Sequence, residues 1–541
     1  MVPSTRTDPS ITEAISKGLV QISTRKAPSN PGRSEVRREE IRPLKVPSNP
    51  GDVCLGEIRP FSFHGKHYVF VVPVTGIFEI SELAFEIIRL FMLDGTTVSE
   101  PAHAVAISQS RSLAAPAIVD ALRTRHAIHS IVQGLSELQA MGVLVTEDGS
   151  LFAQTVPPLP KLPSGSIPQR SLVLNVANDC NLGCTYCFAS QGDYGAPKRF
   201  MSQETARKSV DFLLQNSGDH ETVTLVFFGG EPLMNFRLIS ETVQYATKAG
   251  QAVGKRVDFS ITTNATYLTP EIIHFLRDHR IGVAVSIDGP KKFHDLRRTY
   301  KNGLGSYDMI QPRVMTLLRE HKTRPIAARV TLTHGVTAVN EIFEHLSGMG
   351  FDEIGFAPVT SSDDADYALT PDELWQVLEE FGELTAKYVD GASSGQRPGF
   401  SNLTNLLADL HQGVVKAYPC GAGMGLLGVG STGDLYLCHR FLESDEHRVG
   451  TLDTGVDRAK QTEFMALTHL SAKPPCQICW VRNICSGGCH HEGFKRYGTL
   501  GHANTHYCEW IRSWIDMGLR AYVEIMKKSP AFLERLEKGY A

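Results

Sequence analysis

The alternation of apolar and polar positions divides the chain into stretches of different character. From about Phe61 it describes a small mixed domain: residues 63–72 read as a hairpin turning at His64-Gly65-Lys66, and residues 74–80 alternate as a further strand. Ser81 then caps a helix over 82–93, with Leu83, Ile87, Leu90 and Phe91 at helical spacing. Helices over 115–123 and 129–141 and a short strand pair within 143–152 complete it. A proline-rich stretch over 157–168 marks a boundary. Beyond it, strand patterns at 171–177, 223–228, 257–262, 282–287, 327–332 and 353–357 alternate with amphipathic helical stretches. Six such units predict an α/β fold on a parallel sheet, with the site at the C-terminal strand ends.

The first fifty or so residues look like a tail. PSNPG stands at 28–32 and again at 47–51, and EIRP at 40–43 and again at 57–60, among Arg, Lys, Pro and Ser that bury no core. The expected organisation is a tail over 1–56, a small domain over 57–155, a linker over 156–169, a barrel over 170–400 and a C-terminal domain over 401–541. A length of 541 residues, 42% hydrophobic and 21% charged, suits two to four globular domains. The net charge of -4 gives no case for nucleic acid. No run of eighteen apolar residues suggests a membrane span, and the N-terminus lacks a signal-peptide pattern, so the expectation is a cytoplasmic protein. Of eleven cysteines, all but Cys54 fall in two clusters, which points to metal.

The first cluster is Cys180-x3-Cys184-x2-Cys187-Phe188, directly after the first strand of the alternating region. Three thiolates hold three irons of a 4Fe-4S cube and leave the fourth iron open. A zinc knuckle or buried core cysteines are the alternatives. Spacing and context resemble the radical S-adenosylmethionine (SAM) family, in which SAM occupies the open iron and is cleaved to a 5'-deoxyadenosyl radical. The resemblance implies a partial (β/α)6 barrel. It also implies SAM contacts from Gly229-Gly230-Glu231-Pro232, with Glu231 on the amino group, and from Thr262 and Asn264, Ser286 and Asp288, and Arg329 on the carboxylate. Turn caps at the strand tips, and a barrel salt bridge for Arg329, are the other readings of these residues.

The second cluster runs Cys420-x12-Gly433-x4-Cys438, then Cys476-x2-Cys479-x5-Cys485-x3-Cys489, then Cys508. It resembles the SPASM extension, which holds two auxiliary 4Fe-4S clusters and brings the implied total to three. By that resemblance Cys476, Cys479, Cys485 and Cys508 close one cluster, while Cys420, Cys438 and Cys489 hold the other, one thiolate short. A non-cysteine side chain or an open iron completes it; His490, His491, His502 and His506 stand nearby in sequence. A double zinc ribbon is the rival.

The small front domain resembles the winged-helix peptide-recognition domains of peptide-modifying enzymes. The sequel Phe188-Ala189-x-Gln191-Gly192-Asp193-Tyr194-Gly195 is similar to that of thioether maturases. Over residues 61–520 the chain resembles the maturases of the quinohemoprotein amine dehydrogenase small subunit. That family implies thioethers between Cys sulfur and methylene carbons of Asp or Glu in a Cys-rich polypeptide, with an electron donor such as flavodoxin or ferredoxin. A sulfatase-type formylglycine maturase, a carbon-carbon crosslinking enzyme and a non-enzymatic zinc scaffold are the competing readings.

Overall fold

The computed structural model describes residues 53–92, 112–146, 167–360 and 365–537. It divides into two compact units, Met1–Thr155 with Ile478–Trp480, and the remainder.

In the first unit β1 (Val53–Leu55) pairs antiparallel with β5 (Leu144–Thr146), and β2 (Ile58–Phe63), β3 (Lys66–Val71) and β4 (Gly76–Ile80) form an antiparallel meander. His64 and Gly65 both take positive φ, 48° and 71°, which makes the tight two-residue turn between β2 and β3. β4 begins later than expected because Val72–Val74 winds into a 3-10 turn ended by Thr75 at φ 51°. The side chain of Ser81 accepts from the Ala84 N–H and caps the helix Glu82–Phe91, as read from sequence. Ile58, Val69, Ile87, Phe91, Ile118 and Leu138 lie in its core.

The second EIRP copy, although polar in composition, contributes to the core of the small domain. Ile58, Arg59 and Pro60 are buried in β2, because Ile58 completes the apolar face of the meander. The other repeat copies, residues 147–152 and the proline-rich stretch over 157–166 lie outside the described residues.

The second unit carries the six expected parallel strands, each within one residue of its sequence bounds. They are β6 (Ser171–Asn178), β8 (Thr222–Gly229), β9 (Arg256–Thr263), β10 (Gly282–Ser286), β11 (Ile326–Leu332) and β12 (Glu353–Pro358), side by side in chain order. A two-residue strand, β7 (Arg199–Phe200), pairs antiparallel with the end of β6. Along β8, Val223, Leu225 and Phe227 are buried while Thr224, Val226 and Phe228 alternate with them as half-buried positions. The corresponding half-buried positions on β9 and β10 are Ser260, Thr262, Ala284 and Ser286, small or polar groups that leave room above the sheet.

The sheet does not end at β6. β13 (Leu426–Val429) joins its free edge in parallel, and β14 (Asp434–Tyr436), β15 (Arg448–Thr451) and β16 (Gly455–Val456) continue antiparallel. The segment bearing Cys420 and Cys438 is thus hydrogen-bonded to the strand that leads into Cys180. Among the described residues no helix is long and apolar enough to cross a membrane.

Candidate active site

Cys180, Cys184 and Cys187 occupy the loop after β6. Two elements brace it. Gly183 N–H donates to the Thr299 carbonyl at 2.8 Å and Thr185 N–H to the Arg297 carbonyl at 3.2 Å, so the segment after helix Lys291–Arg297 backs the loop along its length. Within that helix His294 is fully buried and bonded to Ser306 Oγ at 3.0 Å. On the other side, Gly230 N–H donates to Ala177 O at 2.8 Å and Glu231 N–H to Asp179 O at 2.9 Å.

Glycine is required at this junction. A Cβ on Gly230 would sit 2.1 Å from Asp179 O, and one on Gly192, whose φ is 100°, would sit 2.5 Å from Cys180 Cβ and 2.9 Å from Gly230 Cα. The backbone of residues 229–230 is therefore pressed against the cysteine loop.

Glu231 is fully buried. Its Oε1 accepts from Leu233 N–H at 3.0 Å and Thr263 Oγ1 at 2.7 Å, and its Oε2 from Asn264 N–H at 2.7 Å. Burial pushes its carboxyl up to about 7 despite those three donors. In this structure its carboxylate ties the end of β8 to the end of β9. Asn264 likewise faces the loop: its Nδ2 lies 3.1 Å from Asn181 Oδ1 and 3.6 Å from Cys180 Sγ, and its Oδ1 accepts from Thr266.

Asp288, also buried, accepts the Tyr186 hydroxyl on Oδ2 at 2.6 Å and the Thr331 N–H on Oδ1 at 2.9 Å. Arg298 Nη1 donates to the same hydroxyl at 2.5 Å. Burial pushes the Cys184 thiol up, and the Arg298 guanidinium opposes that by favouring its thiolate. Burial also lifts Cys180, to about 12, with the charges of Glu231, Cys184 and Cys187 adding to it. Ligation of a metal here would have to drive these protons off. Sequence reading missed Tyr186, Asn181 and Thr266. Tyr186 stands inside the cysteine motif itself, a signal available without the structure.

Ser286, Thr262 and Arg329 are placed differently. Ser286 and Thr262 are half-buried and Arg329 is exposed. Ser286 pairs in register with Arg329, and Arg329 with Gly355, whose missing side chain leaves space for the guanidinium: a Cβ there would lie 2.6 Å from Nη1.

The C-terminal cysteines are carried by several short elements. Cys420 precedes β13, Cys438 follows β14 and Cys489 caps helix His490–Tyr497. Burial lifts Cys438 to about 12, with the Cys489 and Cys420 charges adding to it, and burial lifts Cys420 with Cys489 adding, so these three share one neighbourhood. Cys476 lies in helix Pro474–Gln477, Cys485 ends helix Arg482–Cys485 and Cys508 opens helix Cys508–Lys528. Cys479 belongs to Ile478–Trp480.

Aromatic rings fill the space between the first loop and Cys438. Phe188 lies 6.4 Å from Phe228, Phe228 lies 4.7 Å from His439, and the Arg440 guanidinium sits 4.9 Å over Phe188. Arg440 also pairs with Glu492 at 3.0 Å.

Three thiols on a glycine-packed loop, with a cation beside Cys184, fit a 4Fe-4S cube with one open iron. Among the described residues no three His, Cys, Asp or Glu side chains converge tightly enough to hold a single ion. A cube needs no such convergence, because each thiolate takes its own iron.

Residues 174–346 match the model of the radical SAM superfamily. The chain is 25% identical over 401 residues to the serine-type anaerobic sulfatase-maturating enzyme of Bacteroides thetaiotaomicron, covering 67% of this chain and 92% of that one. It is 29% identical over 272 residues to an uncharacterized protein of Methanocaldococcus jannaschii, covering 50% and 84%. The solved structure of native anSMEcpe with bound AdoMet superposes with a TM-score of 0.56 at 20% identity, over 68% of this chain and 99% of that one.

Proposed function

We propose, given that the barrel is a radical SAM domain, that the chain links Cys sulfurs to methylene carbons of Asp or Glu in a Cys-rich, ribosomally made polypeptide. The small subunit of a quinohemoprotein amine dehydrogenase is the substrate this reading favours. The observation that carries it is the loop from Cys180 to Gly195: its thioether-maturase-like sequel folds back so that Gly192 rests on Cys180 and Gly230. A reduced cluster with SAM supplies a carbon-centred radical able to take hydrogen from an unactivated C–H bond, which no acid or base chemistry reaches.

The chain's own residues divide the remaining work. Thr262, Ser286 and Arg329 line the half-exposed side of the sheet, and Arg329 is the group for the SAM carboxylate. Backbone at Gly229 and Gly230 would present its amide edge to SAM while packing on the cysteine loop, with Pro232 starting the turn that fixes it. Glu231, Asn264 and Asp288 hold the loop in place through the bonds described above. The wall of Phe188, Phe228 and His439 keeps water from the space beyond Cys187. The reading takes three 4Fe-4S clusters, an electron donor such as flavodoxin or ferredoxin, and the small front domain as the peptide-binding module.

A second reading, oxidation of a Cys or Ser to formylglycine, is favoured by the sulfatase-maturating relatives. Those alignments leave about a third of this chain without a counterpart, since 67% of it is covered. That surplus supports a different substrate. Co-expression with small Cys-rich reading frames, followed by intact mass and thiol alkylation, separates the readings. A thioether removes two hydrogens and one alkylatable thiol per link. A carbon-carbon link removes two hydrogens and keeps every thiol, and formylglycine adds a hydrazide-reactive aldehyde; either outcome overturns the proposal.

A further inference from the structure

The set Cys420, Cys438 and Cys489 is one ligand short of the four that a cube accepts. Resting on the iron-sulfur reading above, we propose that His490 supplies the fourth protein ligand of this auxiliary cluster through an imidazole nitrogen. His490 opens its helix directly after Cys489 and is 3% exposed. Both of its ring nitrogens are buried and neither has a hydrogen-bond partner. Folded chains rarely leave even one such group unsatisfied.

The neighbouring histidines differ. His439 and His491 each have only Nδ1 in that state, and both pack against Phe188 on the side of the first loop. His447 bonds Ser444 Oγ through Nδ1 at 2.7 Å and leaves only Nε2 without a partner, and His502 bonds the Ala503 carbonyl at 2.6 Å.

The position of His490 suits the role. Its ring meets Phe464 edge-on with centroids 5.3 Å apart. Phe464 in turn packs against the Gly423 turn that follows Cys420: a Cβ on Gly423 would lie 2.6 Å from Phe464 Cε1 and 2.9 Å from Leu437 Cδ2. Gly423 N–H also donates to Leu437 O at 2.7 Å, which fixes that turn beside the residue preceding Cys438. The turn after Cys420 therefore touches both the segment that leads into Cys438 and the Phe464 ring that His490 contacts, and His490 brings two unengaged nitrogens to that junction.

Imidazole is an established replacement for thiolate on iron-sulfur centres, where a neutral ligand raises the reduction potential. A cluster closed in this way offers no vacant iron to a substrate thiolate. The bond-forming sulfur is then positioned by protein contacts, and the cluster serves electron transfer.

The test uses full-length protein carrying C180A, C184A and C187A, so that only auxiliary clusters remain, grown on histidine labelled with nitrogen-15 in the ring. Pulsed paramagnetic resonance of the reduced sample should show a directly bound nitrogen. That coupling should vanish in H490A and in H490C, with H490C keeping its iron and shifting its midpoint potential downward as a thiolate replaces imidazole. A sample holding about eight irons without bound nitrogen overturns the ligand and leaves the cluster reading standing. Coupling that survives in both His490 variants overturns it too. A sample without iron overturns the iron-sulfur reading as well.

Discussion

Replacing Gly230 by Ala adds one methyl group where the cysteine loop crosses the end of β8. The new Cβ would lie 2.1 Å from Asp179 O, 2.4 Å from Asp179 C and 2.8 Å from Gly192 O, all backbone atoms that no rotamer change moves. Gly230 is not in the left-handed region, so the effect is steric. Overpacking of this kind costs roughly 1–3 kcal/mol. Separating the strands also stretches the Gly230-to-Ala177 and Glu231-to-Asp179 hydrogen bonds, at about 1 kcal/mol each. A local loss of about 3 kcal/mol corresponds to roughly 100-fold less protection of those two amides from hydrogen exchange.

The matched control is Gly348→Ala, at an exposed helical site with nothing within 4 Å of the added Cβ. There the same substitution should stabilise by about 0.5–1 kcal/mol. Exchange measured by mass spectrometry on both variants, with iron content alongside, checks the sign at each site. Wild-type protection and full iron in G230A would refute the argument that this contact positions Cys180.

Other outcomes follow from the same site. In the metal-free protein Glu231 titrates at about 7 against an ordinary 4.5, so the folded state keeps a proton that the unfolded chain loses. Stability should therefore fall as pH rises from about 4.5 to about 7, and E231Q should flatten that slope in pH-dependent denaturation. Arg298→Met removes the guanidinium that bonds the Tyr186 hydroxyl and favours the ionised form of the buried Asp288, and should destabilise the barrel by about 1–3 kcal/mol, read as a denaturant midpoint. Tyr186→Phe removes one hydroxyl from the same group and should cost about 1–3 kcal/mol. Arg329→Ala should weaken SAM binding by about 10- to 100-fold, the worth of one charge-assisted hydrogen bond, with iron content unchanged; equilibrium dialysis measures it.

The barrel strands were legible because parallel strands buried on both faces read as apolar runs, as at Leu172, Val173, Leu174 and Val176. Glycine at 229 and 230 was legible from the motif. Strands β13 to β16 were not. They are two to four residues long, glycines stand in or beside them at 428, 430, 450 and 455, and β13 pairs with a strand some 250 residues earlier, a relation that no local period encodes. The buried polar lattice was invisible for the same reason: Tyr186 meets Asp288 and Arg298 more than a hundred residues on, and Asn181 meets Asn264. For Glu231 the residue was legible from the motif and its partners were not. The sequence marked the residue, while the structure shows its carboxylate already bonded to Leu233, Thr263 and Asn264.

The central claim is that Cys180, Cys184 and Cys187 seat an iron-sulfur cube that cleaves SAM. Anaerobically purified protein, reduced and given SAM, should release 5'-deoxyadenosine, and C180A should release none while keeping the iron of its other clusters. Zinc in place of iron, no deoxyadenosine from the reduced wild-type protein, or undiminished release from C180A would contradict it.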